Sequence, residues 1–362
     1  VTSYEMFRLF FGTFGRIMQK DGGLEALKHR LDYFFTRYLA TLKLNVMPLV
    51  LKFCRPTYAP VDLFSGIQFL TMDPGNFLNV ETLIAQTTET FPQIAHSMFL
   101  YQNQLLWYTV PREDLPIIYR YLTQNLLPMS LRTELQPEAS RRITTAHHHG
   151  KFVTGPAELD SSNGGGGAPY SPQTTLAQAE KNPSTKLPVV YLHKRRKNAT
   201  QKSESDSDAS KASFVTAPDS APPSELTLEA YHLVVYRALN ATVAFFLPLK
   251  DNPDLEFFRA LDVLLGAQLT TLASTIGDLY GRQASSSSLD HHYVYYNPVS
   301  MSTKSSFFDS LPEGSKLPQV VPQEIFRLVC ELREEAENSD YLGDILAKSD
   351  SEWWVVLKKA NK

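Results

Sequence analysis

Apolar positions at the start of the chain recur every three to four places. Met6, Phe7, Phe10, Phe11, Phe14, Ile17 and Met18 form one stripe, with Arg8, Gly12, Gly15 and Arg16 off it. This spacing predicts an amphipathic helix over 4–20, stopped at Asp21-Gly22-Gly23, where glycine supplies the left-handed turn that helix ends favour. A second stripe, Leu24, Leu27, Leu31, Phe34, Phe35, Tyr38 and Leu42, predicts a helix over 24–44. Glu25, Lys28, Arg30, Asp32 and Arg37 make its wet face. Two such helices need a surface to cover. The pattern therefore predicts a sheet upstream of Val1, and the chain reads as a fragment.

The period then changes. Pro48, Pro56 and Pro60 mark a linker. "LFSGIQFLT", 63–71, predicts a strand, and "PGNFLNVETLIAQTTETF", 74–91, a turn and a helix with Asn79 as candidate N-cap. "HSMFLYQNQLLWYTV", 96–110, predicts a hairpin turning at Gln102-Asn103, since Asn tolerates the left-handed conformation such a turn demands. Residues 112–127 predict a short helix with Pro116 in its first turn, where a missing N–H matters little. From 129 to 227, Ser, Gly, Pro and charge dominate, a composition that cannot bury enough surface to offset ordering. Two strand-like islands interrupt that insertion, "GKFVTGP" at 150–156 and "KLPVVYLH" at 186–193.

Order returns at 228. Residues 228–249 predict two strands turning near Asn240. Residues 252–281 give the longest helix pattern, with Asn252 as cap and Pro253 at the first helical position. A strand at 291–297, a helix near 322–337 and a last strand, "EWWVVLKK" at 352–359, complete the series. That last strand is left without a neighbour.

Composition narrows the functional classes. A formal net charge of −3 over 362 residues argues against a dedicated nucleic-acid binder, which needs a basic face to release counterions. The two cysteines, Cys54 and Cys330, form no metal or redox pair and suit a reducing cytosolic compartment. No window reads as the roughly 18–20 uncharged apolar residues a bilayer span needs, and charges interrupt the opening stretch as a signal peptide, so a soluble chain is expected.

Chemical signatures are few in the sequence. Phosphate-binding, nucleophile-elbow and zinc-protease patterns are absent from the sequence. His147-His148-His149 reads as a solvated loop, because adjacent histidines point in different directions. Asp206-Ser207-Asp208 lies in a Ser/Asp/Lys run that reads as a phosphorylatable linker. His193-Lys194-Arg195-Arg196-Lys197 reads as a solvated charge run, with a nuclear signal or attraction to anionic lipid heads as the sharper alternatives. Trp107, Trp353 and Trp354 are candidate partner-interface anchors, against a plain role in sheet packing. Hairpin 96–110 and strand 352–359 are candidate edges for main-chain pairing with partners. No catalytic, cofactor-binding or metal residue is assigned. The pattern favours a binding or scaffolding role over a hydrolase, for which no nucleophile–base pair is visible.

One family resemblance sharpens this. "FRLFFGTFGRIMQKDGGLEALKHRLDYFFTRYLATLKL", 7–44, resembles the helix pair of the Ccz subunit of the Mon–Ccz complex, the vacuolar fusion protein Ccz family. The resemblance continues collinearly through "DLFSGIQFLTMD", "FLYQNQLLW", "YRYLTQNLLP", "GKFVTGP", "YHLVVY", "LDVLLGAQLTTLAS", "YVYYN" and "WWVVLKK". It implies an α+β fold of tandem longin domains, each an antiparallel sheet flanked by helices, the first and third incomplete in this chain. On that frame 1–44 are the closing helices of domain 1, 45–59 a linker, 60–282 domain 2 with the insertion 129–227, and 289–362 the first part of domain 3. It further implies a guanine nucleotide exchange factor that works as a heterodimer with a Mon subunit on the late-endosomal and vacuolar Rab GTPase. A third regulatory subunit, peripheral attachment to anionic or phosphoinositide-bearing late-endosomal, lysosomal and autophagosomal membranes, and no cofactor are expected with it. The family's GTPase-binding face is formed by the first domains, so no exchange residue carries over onto this chain. A longin-type adaptor or tethering subunit without exchange activity is the alternative.

Overall fold

The computed structural model describes residues 2–41, 66–134, 150–154, 187–194, 228–284, 291–306, 321–338 and 343–359. The linker 45–59, the three histidines 147–149 and the acidic run 206–208 lie outside them. The chain divides into two units. One holds 1–36, 73–102 and 106–273, the other 37–72, 103–105 and 274–362.

The opening stripe folds as two helices rather than one, α1 (Thr2–Phe11) and α2 (Phe14–Lys20). Gly12 breaks it at φ +82°, a conformation open to glycine, and Thr13 then caps α2 by accepting the Arg16 N–H at 3.3 Å. The expected turn at Asp21-Gly22-Gly23 follows, and α3 runs Gly23–Thr41. Phe7 and Phe10 are fully buried. Phe7 packs on Phe11, Phe14 and Phe34, and Phe10 meets Tyr121 edge-on at 4.8 Å. The stripe thus finds cover inside this chain, contrary to the expectation that only an upstream sheet supplies it.

That cover belongs to a six-stranded antiparallel sheet and its helices. The strands are β1 (His96–Tyr101), β2 (Gln104–Tyr108), β3 (Gly150–Thr154), β4 (Val189–His193), β5 (Leu228–Ala238) and β6 (Ala241–Pro248). Their order is β2-β1-β6-β5-β3, with β4 also on β5. β5 is long enough to pair β4 along 228–232 and β3 along 235–238. The expected hairpin turns at Gln102-Asn103, but Gln102 itself carries the positive φ, +53°.

Helix starts differ from the sequence reading. In α4 (Pro74–Thr90) the cap is Asp73, whose carboxylate accepts the Asn76 N–H at 3.1 Å, and Asn79 lies inside the helix. Asp73 precedes the proline and so reaches the free N–H groups of the first turn, which Asn79 cannot. Residues 115–134 continue past the short helix expected, as α5 (Leu115–Arg120), a π-turn at Tyr121–Leu126 and α6 (Leu127–Glu134). The wider turn keeps Tyr121, Leu122 and Leu126 all buried. In α7 (Leu255–Ala284) the Phe257 N–H donates to Asp254 at 2.8 Å, so Asp254, not Asn252, is the cap.

Within α7, Leu255–Tyr280 is long and apolar enough by length and composition to cross a membrane, which the sequence scan did not anticipate. Its stripe of Phe258, Leu261, Leu265, Leu269 and Ile276 is buried within the fold. Phe258 meets Phe152 at 5.2 Å, and Tyr236 donates its hydroxyl proton to Asp262 at 2.7 Å. These contacts lay one face of α7 against the sheet.

In the second unit, the described residues 66–71 of the strand expected at 63–71 form single-residue parallel bridges, Ile67 with Ser302 and Phe69 with Leu105. A Cβ on Gly66 would fall 1.4 Å from Thr303 Oγ1, so this approach requires glycine. β7 (Val294–Asn297) pairs with β8 (Ser302–Ser305), a strand too polar to read from sequence. α8 (Gln323–Asn338) precedes β9 (Asp344–Lys348) and β10 (Trp354–Lys358). β9 is the neighbour the last strand lacked.

Replacing Asp254 by alanine is expected to lower stability by about 1 kcal/mol, while Asn252→Ala stays within about 0.5 kcal/mol. Urea denaturation of the two variants checks this. Equal losses would restore Asn252 as the cap.

Candidate partner interface

The most constrained polar cluster in the first unit joins three elements distant in sequence. Asp114 stands at the N-cap of α5, yet its carboxylate turns away from the helix. Oδ2 accepts the His193 backbone N–H at 2.6 Å, at the end of β4. Oδ1 accepts from Arg8 Nη2 on α1 at 3.0 Å and lies 2.7 Å from His193 Nδ1. The Asp114 side chain is 0% exposed. Arg8 Nη1 also stands 2.8 Å from His193 Nε2. A guanidinium only donates, so Nε2 accepts and the ring proton sits on Nδ1, donated to Asp114. An Asp–His pair can serve hydrolysis, but the ring nitrogen that would take a nucleophile's proton is occupied here by Arg8. The cluster is a fastening. It closes an otherwise open N–H at the edge of β4 and holds α1 there, where Arg16 also lies over the Tyr191 ring at 4.6 Å.

His193 was read as the head of a solvated basic run. The structure buries it, because β4 ends on it and Asp114 satisfies it. Lys194 next to it is exposed and pairs with Glu229 at 2.8 Å. The hydrogen bond from Lys194 holds the Glu229 carboxyl below its usual range. Arg195–Lys197 lie outside the described residues. No sequence pattern links Arg8, Asp114 and His193. The one available signal was an acid placed before a proline-bearing helix turn.

Other buried polar groups are also structural. Burial pushes the Tyr231 hydroxyl up to about 12, with Glu229 adding to it, and pushes Tyr121 and Tyr236 higher. All three stay protonated near neutrality. Among the described residues, no group of three or more His, Cys, Asp or Glu side chains is placed to hold a metal ion.

Trp107 lies in the first unit, and Trp353 and Trp354 lie in the second. Trp107, on β2, is half-buried, with its ring 5.8 Å from Phe77 of α4. Its indole N–H is buried without a partner. Trp353 stacks on His292 at 6.1 Å. Trp354 is 64% exposed, with Lys348 Nζ 5.8 Å from its ring centre. Trp354 shares the outer face of the β9–β10 hairpin with Val356 and Leu346, 50% and 62% exposed. Contiguous exposed apolar groups of this kind mark interaction surfaces. The hairpin 96–110 offers less free edge than expected. Leu105 of β2 donates its N–H to Gln68 at 2.7 Å and accepts from Leu70 at 3.0 Å, so residues 66–70 already pair there.

An antiparallel sheet flanked by helices is the architecture of a longin-like protein. Residues 94–196 match the family described as Intu longin-like domain 2, and residues 287–362 match Intu longin-like domain 3. Relatives of the chain include vacuolar fusion protein CCZ1 homologues. It is 30% identical to that of Nematostella vectensis over 99% of this chain and 65% of the relative. It is likewise 30% identical to that of Xenopus laevis and 28% identical to that of Danio rerio, each over 99% of this chain. The chain therefore spans about two thirds of the length of these relatives, 65% for the first.

Removing the Asp114 carboxylate strands a buried cation and a buried N–H. Asp114→Ala is expected to lose about 3–5 kcal/mol in chemical denaturation, and Asp114→Asn less. His232 on β5 supplies a pH signature. Burial holds its pKa below the ordinary 6.5, and its Nδ1 is buried without a partner. The unfolded chain therefore binds a proton that the folded one resists. Stability contributed by the neutral ring is present above about pH 6.5 and lost as pH falls towards the folded value. In urea melts at pH 7 and pH 5, His232→Gln is expected to lose less stability over that interval than the parent protein.

Proposed function

We propose that this chain is part of a subunit of a heterodimeric guanine nucleotide exchange factor. It acts with a Mon-type subunit on the late-endosomal and vacuolar Rab GTPase, in endosome maturation, vacuole or lysosome fusion and autophagy. The observation that carries this reading is the collinear similarity to vacuolar fusion protein CCZ1 homologues along 99% of the chain. The longin-like matches and the exposed apolar face of β9–β10 support a protein that works through protein contacts. Such exchange needs no covalent step. A factor that binds the nucleotide-free GTPase more tightly than the loaded one shifts the equilibrium and releases GDP. The subunit is not an enzyme of covalent chemistry in this reading. It resides in the cytoplasm and attaches peripherally to late-endosomal and lysosomal membranes through the complex, which a third regulatory subunit joins.

The test is release of fluorescent GDP from that Rab on anionic, phosphoinositide-bearing liposomes, with the full-length protein and its Mon partner. Acceleration of about tenfold or more over the GTPase alone is expected. No acceleration, together with preferential binding of the GTP-loaded Rab, would reassign the chain to a tethering or adaptor role.

A further inference from the structure

The turn joining β9 to β10 reads Ser349-Asp350-Ser351-Glu352-Trp353. We propose that Ser349 is a phosphorylation site for an acid-directed protein kinase, and that its phosphate detaches this turn from α8. The proposal is independent of the exchange reading above.

Three observations carry it. First, acids stand one and three places after Ser349, both exposed, and the Glu352 side chain is 86% exposed. A kinase whose substrate groove is basic recognises charge at those offsets. Second, the hydroxyl sits at the mouth of the turn and not inside a core. Ser349 accepts the Trp353 N–H through Oγ at 3.2 Å and donates its own N–H to Trp353 at 2.9 Å. Glu352 holds φ +66°, a strained turn conformation. A two-stranded hairpin is marginal by itself, so local opening can present an extended segment to a kinase. Third, the hydroxyl is wired to another element. Ser349 Oγ lies 2.9 Å from Ser351 Oγ, which donates to Glu324 in the first turn of α8.

The step is an ordinary phosphoryl transfer. Ser349 Oγ attacks the γ-phosphorus of Mg–ATP, the Oγ–P bond forms, and the bond to the β,γ-bridging oxygen breaks. ADP leaves, and the hydroxyl proton passes to the kinase's carboxylate. The product places a dianion among Glu324, Asp350 and Glu352. The neighbouring cation is Lys348, 3.8 Å from Glu352. The phosphate competes with Glu324 for the Ser351 hydroxyl and repels that carboxylate, so the contact between turn and helix breaks.

The experiment uses the whole chain with Ser203, Ser205 and Ser207 replaced by alanine, which removes the competing acceptor hydroxyls of the acidic run. It is incubated with casein kinase II and Mg–ATP, and phosphopeptides are mapped by mass spectrometry. Phosphate on Ser349 is expected, absent in Ser349→Ala, retained in Ser351→Ala and reduced roughly tenfold in rate by Glu352→Gln. Amide exchange over 349–353 and the start of α8 should quicken on phosphorylation. An unmodified Ser349, phosphate confined to Ser351, a rate indifferent to Glu352→Gln, or unchanged exchange would each overturn the proposal.

Discussion

The larger unit depends on the antiparallel pairing of β5 with β6. Eight residue pairs run from Tyr231 with Pro248 to Ala238 with Ala241. Val243, Ala244, Phe245, Phe246 and Leu247 are buried along successive positions, so both faces of β6 are covered. β6 hands its free side to β1, and β5 hands its own to β3 and β4. One hairpin therefore sets the register for segments that an insertion of about a hundred residues separates in the chain. Apolar burial on both faces supplies most of its stability, and the register holds because a one-residue slip would move each side chain to the opposite face.

The buried carboxylate of Asp114 turns that sheet into a unit with attached helices. It satisfies the last N–H of β4, orients the His193 ring and anchors Arg8 of α1. A buried ion network of this kind is a weak source of net stability and a strong source of specificity, since an arrangement that leaves one member unpaired is heavily penalised. Around it the aromatic stripe of α1 and α2 supplies the area, and the charged cluster supplies the address.

Surface exposure is poorly legible in sequence. Trp107, Trp353 and Trp354 looked alike as candidate anchors. The structure gives them three environments, packed on Phe77, stacked on His292 and open to solvent beneath Lys348. Exposure separates them, and exposure is a property of the folded chain. The Arg8–Asp114–His193 knot was invisible for the same reason, because its members are 79 to 185 residues apart.

By itself the sequence determined the elements whose signal is local. Periodicity placed the opening stripe, the helix Leu255–Ala284 and the strands of hairpins 96–110 and 228–249, because a one-sided apolar pattern has few ways to be buried. Capping was misassigned to Asn79 and Asn252, since several nearby polar residues can cap and only backbone geometry selects Asp73 and Asp254. The short strands β8, which is polar, and β9, with three apolar residues, escaped notice because partners as much as composition make them strands. Tertiary structure alone decided what covers α1, how residues 66–70 bridge to Leu105 and Ser302, and which tryptophan meets water. Each of these turns on distant residues meeting, and burial and long-range pairing are written in no single stretch of chain.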